Sequence, residues 1–217
     1  MAVRPVYISD PESPDFYRTV NPDFKYYCGL AISQRRRSIV SLHEAFHKIY
    51  PDLSVLEVST QSESELGRSL SPFNLTVRLS SGKVVSVESA FQASKVFEDC
   101  GPFPDLLNVS SMAAKKDERK KNCGVLTGYR FDGELYSCDP VTYFYNWLYI
   151  SALMEHPDLA KEILQYHAFT DIVFNPKKSH CCQAQACALY VGLVRKGMLD
   201  AAMQDREAFL QIIYNHF

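Results

Sequence analysis

Apolar positions along this chain switch between a period near 3.6 and a period of 2, and the switches divide it into elements. Ile39, Leu42, Phe46 and Ile49 recur at helical spacing, which predicts a helix from Ser38 that stops before Pro51. Leu53 to Val58 carries β-branched residues in partial alternation and reads as a strand, and the polar stretch from Gln61 to Ser69 reads as a loop. Leu75-Thr76-Val77-Arg78-Leu79 alternates, Ser81-Gly82 supplies a turn, and Val84 to Val87 returns as the second strand of a hairpin. A helix with Ser86 as N-cap follows at once. Gly101 to Asp105, with two prolines, breaks the chain; Ala113 to Lys121 is charged and helix-favouring; Gly124 to Cys138 is turn-rich.

The second half is predominantly helical in pattern. Asp139-Pro140 predicts a helix start with Asp as N-cap and Pro at the first position. Tyr143 to Leu153 is apolar nearly all round, as a central buried helix requires. It stops near His156-Pro157, and a second helix runs to about Tyr166. Phe169 to Phe174 suits a short strand, Cys182 to Lys196 a helix closed by Gly197, and Asp200 to Tyr214 a last helix. Residues 1–25 are rich in Pro, Asp and Tyr without periodicity and read as an extended arm with limited strand content. The pattern predicts an α+β fold, a helix-rich single domain with a small antiparallel sheet. Its division is an N-terminal extension, 1–65, packed on a core domain, 66–217.

Composition narrows the function. At 217 residues the chain can bury a sizeable core without disulfides or a structural metal. A formal net charge of −2 argues against non-specific coating of nucleic acid, while leaving room for a local basic patch. Seven cysteines, at 28, 100, 123, 138, 181, 182 and 187, include no C-x-x-C pair. Free thiols in a reducing cytoplasm are expected, with no charged-then-apolar leader at the N-terminus and no apolar run of membrane-spanning length.

Two segments carry candidate chemistry. In Ser86-Val87-Glu88-Ser89-Ala90-Phe91-Gln92-Ala93-Ser94-Lys95, the residues Glu88, Gln92 and Lys95 fall at i, i+4 and i+7 on one helical face. Val87, Ala90, Phe91 and Phe97 occupy other faces and can hold the helix to a core. A carboxylate, an amide and an amine on a buried helix suit cleavage of a bond to a sugar. A first-turn glutamate is also favoured by the helix dipole without any function. His43-Glu44-Ala45-Phe46-His47 matches H-E-x-x-H, with Glu57, Glu63 or Glu65 as possible third zinc ligands; the alternative is two histidines beside the core stripe of an amphipathic helix. No glycine-rich phosphate loop and no G-x-S-x-G elbow occurs, and the vicinal Cys181-Cys182 pair suits burial as well as reactivity.

Three segments together resemble the NADAR family, which includes N-glycosidases of ribosylated metabolites and enzymes that remove ADP-ribose from guanine. The first is Leu70-Ser71-Pro72-Phe73, the hairpin, and the Glu88-x-x-x-Gln92-x-x-Lys95 helix. The second is the Trp147 helix leading into His156-Pro157-Asp158-Leu159. The third runs from Phe169-Thr170-Asp171 through Asn175-Pro176 into the 183–196 helix. Pro72 stands where the family usually has Asn, Ser89 where it has His, and Phe174-Asn175 near the place of its Trp-Gly. The resemblance covers about 66–197, and the longer form resembles the branch that serves as antitoxin to a DNA ADP-ribosyltransferase toxin acting on guanine.

The resemblance implies a NADAR-like fold and hydrolysis of the N-glycosidic bond of ADP-ribosylated guanine in single-stranded DNA, with no cofactor and no membrane. It implies Glu88 as stabiliser of an oxocarbenium-like state or as general base. Lys95 would pair with the diphosphate or attack C1″ through a Schiff base, and Asp171 would be a second acid. Gln92 would orient a hydroxyl or water, Phe73 would contact substrate, and Arg68, Lys115 and Lys177 would meet phosphate. Three alternatives stay open: an N-glycosidase of small phosphoribosyl metabolites, a non-catalytic binder of ADP-ribose or of a toxin, and a zinc hydrolase using residues 43–47.

Overall fold

A computed structural model describes residues 3–29 and 31–214. In chain order the elements are β1 (Val6–Ser9), β2 (Tyr17–Val20), α1 (Ile32–His47), β3 (Val55–Glu57), α2 (Glu65–Ser69), β4 (Thr76–Arg78), β5 (Val84–Ser86) and α3 (Val87–Ser94). They continue with β6 (Lys95–Phe97), α4 (Ser111–Lys116), β7 (Leu126–Phe131), β8 (Glu134–Ser137), α5 (Tyr143–Met154) and α6 (Pro157–Glu162). The last are β9 (Ala168–Thr170), α7 (Gln183–Lys196), α8 (Leu199–Ala202) and α9 (Arg206–Tyr214). Short 3-10 helices occupy Pro104–Asn108, Arg119–Asn122 and Ile163–Gln165. The class is α+β.

The chain forms two compact units, one of residues up to Ser71 and from Pro157 onward, the other Pro72–His156. In the first, a four-stranded sheet has the order β2-β1-β9-β3. β1 pairs antiparallel with β2 and β9, while β3 pairs parallel with β9 through Val55↔Ala168. α1 lays Ile39, Leu42 and Phe46 against Val6, Ile8, Ala168 and Ile172. α7 packs on β1 and β9 with an alanine-rich buried face, and Gly192 lets it meet the Phe16 carbonyl where any Cβ would overlap.

In the second unit, the β4/β5 hairpin leads straight into α3, and β6, β7 and β8 form a three-stranded antiparallel sheet. α5 fills the unit with aromatic rings: Phe144 lies 4.5 Å from Tyr129, 4.8 Å from Tyr136 and 6.1 Å from Phe91, centroid to centroid. Leu148, Tyr149, Ile150 and Leu153 of α5 are fully buried, each worth about 2 kcal/mol of transfer free energy.

Several elements depart from the sequence pattern. α1 begins six residues before Ser38, and Ile49 lies beyond its end and is exposed. The polar 61–69 stretch contains α2, whose N-cap Ser64 accepts a hydrogen bond from the Gly67 amide. The turn-rich 124–138 stretch is the β7/β8 hairpin, closed by Asp132 and Gly133, both at positive φ (50° and 87°). α5 starts at Tyr143 after Thr142, so Asp139 is not its N-cap. The 113–121 run breaks at Asp117, and the C-terminal helix divides into α8 and α9. Cys100 and Cys123 are disulfide-bonded, which corrects the expectation of free thiols at those two positions; the other five cysteines form no disulfide.

Candidate active site

The site is built on α3. Ser86 ends β5 in an extended conformation, and its Oγ accepts from the Ser89 amide at 3.1 Å, closing the first turn as an N-cap does. The amides of Val87 and Glu88 donate to the carbonyls of Leu75 and Pro72 at 2.9 and 2.8 Å. The helix end is thus fixed on the hairpin and on the residue before Phe73. Ser111 reinforces this, since its Oγ lies 2.7 Å from Ser86 Oγ and donates to the Phe73 carbonyl at 3.2 Å. Every residue of α3 is buried, Glu88 to 4 % exposure and Gln92 to 7 %.

A buried carboxylate needs partners. Glu88 Oε1 accepts from Gln92 Nε2 at 2.9 Å, and Oε2 lies 3.6 Å from Lys115 Nζ. Lys115, on α4 and half exposed, also stands 4.9 Å above the Phe73 ring. The i, i+4 pairing of Glu88 with Gln92 follows the helical spacing. Lys95 does not. The helix ends at Ser94, and Lys95 turns extended and opens β6, paired with Tyr129. Its Nζ lies 4.8 Å from the Phe91 ring centroid. Phe97, taken as a helical core position, is on β6 as well.

Lys120 is the site residue the sequence concealed. Its Nζ donates to Gln92 Oε1 at 2.6 Å and to the Ala114 carbonyl at 2.8 Å, which turns the Gln92 amide so that its nitrogen faces Glu88. Burial, then the nearby Lys95 charge, push Lys120 down to about 8, against the pull of Asp117 and Glu88. Lys120 stands among five basic residues between Lys115 and Lys121, and only the break at Asp117 singles it out. Arg119 anchors that break. Its guanidinium donates to Asp105 at 2.6 Å and to Asp117 at 2.8 Å, and it lies 5.2 Å from the Phe103 ring centroid.

Asp171, Arg68 and Lys177 belong to the other unit. Asp171 is buried after β9; Oδ1 accepts from the Val173 amide at 2.9 Å and Oδ2 from Gln183 Nε2 at 2.7 Å. Beside it is Glu57, 3 % exposed, which accepts from Ser59 Oγ, Thr170 Oγ1 and the Ile172 amide at 2.7, 2.6 and 2.9 Å. Burial and then the Asp171 charge push Glu57 up to about 8 despite those hydrogen bonds. The same causes raise the buried Cys182 thiol. Arg68 donates to the carbonyls of Ser62 and Glu63 at 2.9 and 2.7 Å, while Lys177 is on an exposed turn where its amide donates to Asn175 Oδ1.

The two histidines of His43-Glu44-Ala45-Phe46-His47 turn to separate protein partners. His43 Nε2 lies 2.9 Å from Thr170 Oγ1, and His47 Nε2 lies 3.2 Å from the Leu53 carbonyl. Burial, then the His47 charge, push His43 down to about 4. Among the described residues no group of three or more His, Cys, Asp or Glu is placed to hold a metal ion.

A capped helix on a hairpin, with a buried glutamate, a glutamine and lysines around it, is an α+β architecture built to hold a charged polar site. The sequence model of the DarT1-associated NADAR antitoxins matches residues 2–217, and the chain belongs to that family. The match includes the N-terminal strands as well as the α3 region. No curated protein matches the chain. No helix among the described residues is long and apolar enough to cross a membrane.

Proposed function

We propose that this antitoxin is a glycohydrolase that removes ADP-ribose from guanine in single-stranded DNA, in the cytoplasm, reversing the modification made by its partner toxin. The observation that carries the reading is Glu88: a carboxylate buried at a helix N-terminus, one oxygen on Gln92 and the other facing Lys115. Membership of an antitoxin family associated with DarT1 supports the biological setting.

In this reading the bond between ribose C1″ and the guanine nitrogen breaks, and the leaving nitrogen takes up a proton from solvent. Water forms the new C1″–O bond and loses its proton to Glu88. The Glu88 charge also stabilises the oxocarbenium-like state. Gln92 holds Glu88 Oε1, and Lys120 orients Gln92 as a positioning residue. Lys95, Lys115 and Phe73 belong to the substrate pocket, the two lysines facing the diphosphate. For Asp171 as second acid and for Arg68 and Lys177 as phosphate contacts, the family resemblance is the only support.

The test compares release of ADP-ribose from a guanine-modified single-stranded oligonucleotide with turnover of free ribosylated small metabolites. Faster turnover of the oligonucleotide supports the reading. Turnover of metabolites alone would make the protein a small-molecule N-glycosidase, and tight ADP-ribose binding without turnover would make it a binder.

A further inference from the structure

A second feature lies in the first unit, on the outer surface of α1. The segment Phe24 to Tyr27 runs as a strap along this helix, with Phe24 buried against its core face. Ser38 Oγ accepts from the Tyr27 amide at 2.9 Å, and Ser41 Oγ accepts from the Lys25 amide at 3.2 Å. The strap fixes Tyr27 between two cations: Arg37 lies 4.0 Å and Lys25 5.1 Å from its ring centroid. Arg35 and Arg36 precede Arg37 on α1, and Arg36, Arg37 and Lys25 are exposed.

These charges are not neutralised by the fold. Among the described residues no carboxylate lies within ion-pair distance of Lys25, Arg35, Arg36 or Arg37. Arg35 and Arg36 make no side-chain hydrogen bond there either. Four uncompensated cations on a chain of net charge −2 are a concentrated positive surface. Three adjacent guanidiniums fan across the helix, and two cation–π contacts hold a tyrosine in place. Exposed cations without carboxylate partners are what a phosphate backbone recognises.

We infer that the strap and the arginine run of α1 form a docking surface for single-stranded DNA, binding it through its phosphates whether or not it is modified. The choice of DNA as the polymer rests on the proposed substrate. Arg35 and Arg36 meet phosphates, while Tyr27 holds the Arg37 and Lys25 cations in place. Because the strap is hydrogen-bonded before any ligand arrives, little ordering entropy is lost on binding.

The test is fluorescence anisotropy of a labelled, unmodified oligodeoxynucleotide of about 20 nucleotides with the full chain, titrated across salt concentrations. Three or four phosphate contacts predict a log–log salt slope near −2 to −3, at about 0.7 per contact. The double variant Arg35→Ala/Arg36→Ala, which removes no side-chain hydrogen bond or ion pair, is expected to weaken binding roughly tenfold at low salt and to flatten the slope by about 1.4. It should hydrolyse a modified mononucleotide at the wild-type rate, and Glu88→Ala should bind the oligonucleotide as wild type does. Equal affinity and slope in wild type and double variant, no binding by wild type, or equal binding of duplex DNA would each overturn the inference. Binding without any hydrolysis would remove the proposed function and leave this surface standing.

Discussion

Glu88 and Glu57 are both glutamates buried to within a few per cent, yet their surroundings are opposite. Around Glu88 stand an amide and lysines; around Glu57 stand hydroxyls, one backbone amide and a second carboxylate, Asp171. Cations offset the charge at the first, whereas the second takes up a proton and is held up to about 8. The first arrangement suits a developing positive charge on a sugar. The second joins β3, β9 and the Ile172 amide in one network and suits the interior of a sheet. In the proposed mechanism the sign of the neighbours, and not burial alone, separates Glu88 from Glu57.

The largest effect separates the two glutamates by activity. Glu88→Ala is expected to lower ADP-ribose release by two to four orders of magnitude, about 3 to 5 kcal/mol of barrier, with the fold kept by circular dichroism. Next comes Lys120. Lys120→Met frees the Gln92 amide and is expected to lower kcat/KM by roughly ten- to a hundredfold. If the ammonium is the working form, the wild-type profile falls as pH rises through about 8, and the variant loses that limb. An unchanged limb in Lys120→Met would assign it to another group.

A third prediction concerns stability. The unfolded chain ionises Glu57 from about 4.5, whereas the folded chain keeps the proton to about 8. Between these values the folded state binds more protons, so the Glu57 contribution to stability falls as pH rises. Glu57→Gln keeps the shape and removes that slope, gaining on wild type by roughly 3 kcal/mol between pH 5 and pH 8, at about 1.4 kcal/mol per pH unit. A urea-midpoint difference that stays constant over this range would contradict the assignment. The smallest effect is at Lys115, half exposed and screened: Lys115→Ala should raise KM a few-fold, with kcat nearly unchanged, in steady-state kinetics.

Much of the fold was legible because its strongest patterns are local. The β4/β5 hairpin, the Ser86 cap, the all-round apolar α5 and the Gly197 helix end each need only neighbouring residues. What escaped depends on distant partners. β1 is a strand because β9, more than a hundred residues away, pairs with it, and nothing local in Leu53 to Val58 shows that β9 also pairs with β3 in parallel. The β7/β8 hairpin was obscured by its turn residues, and the helical stripe overran Ser94 because β7 draws Lys95 into a sheet. At the site, Glu88 and Gln92 were readable as an i, i+4 pair. Lys120 was not, since its place over Gln92 comes from the break at Asp117 and the Arg119 anchor. From sequence Glu57 reads only as a possible metal ligand, and its tie to Thr170 follows from the parallel pairing of β3 with β9.

The most direct measurement is the single-turnover rate of ADP-ribose release from guanine-modified single-stranded DNA for wild type, Glu88→Gln and Glu57→Gln in parallel. Glutamine preserves shape at both positions and removes the ionisable carboxyl. The account predicts a loss of at least a hundredfold for Glu88→Gln and a rate within a few-fold of wild type for Glu57→Gln. Near-wild-type release by Glu88→Gln, or a comparable collapse in Glu57→Gln with its fold intact, would contradict it.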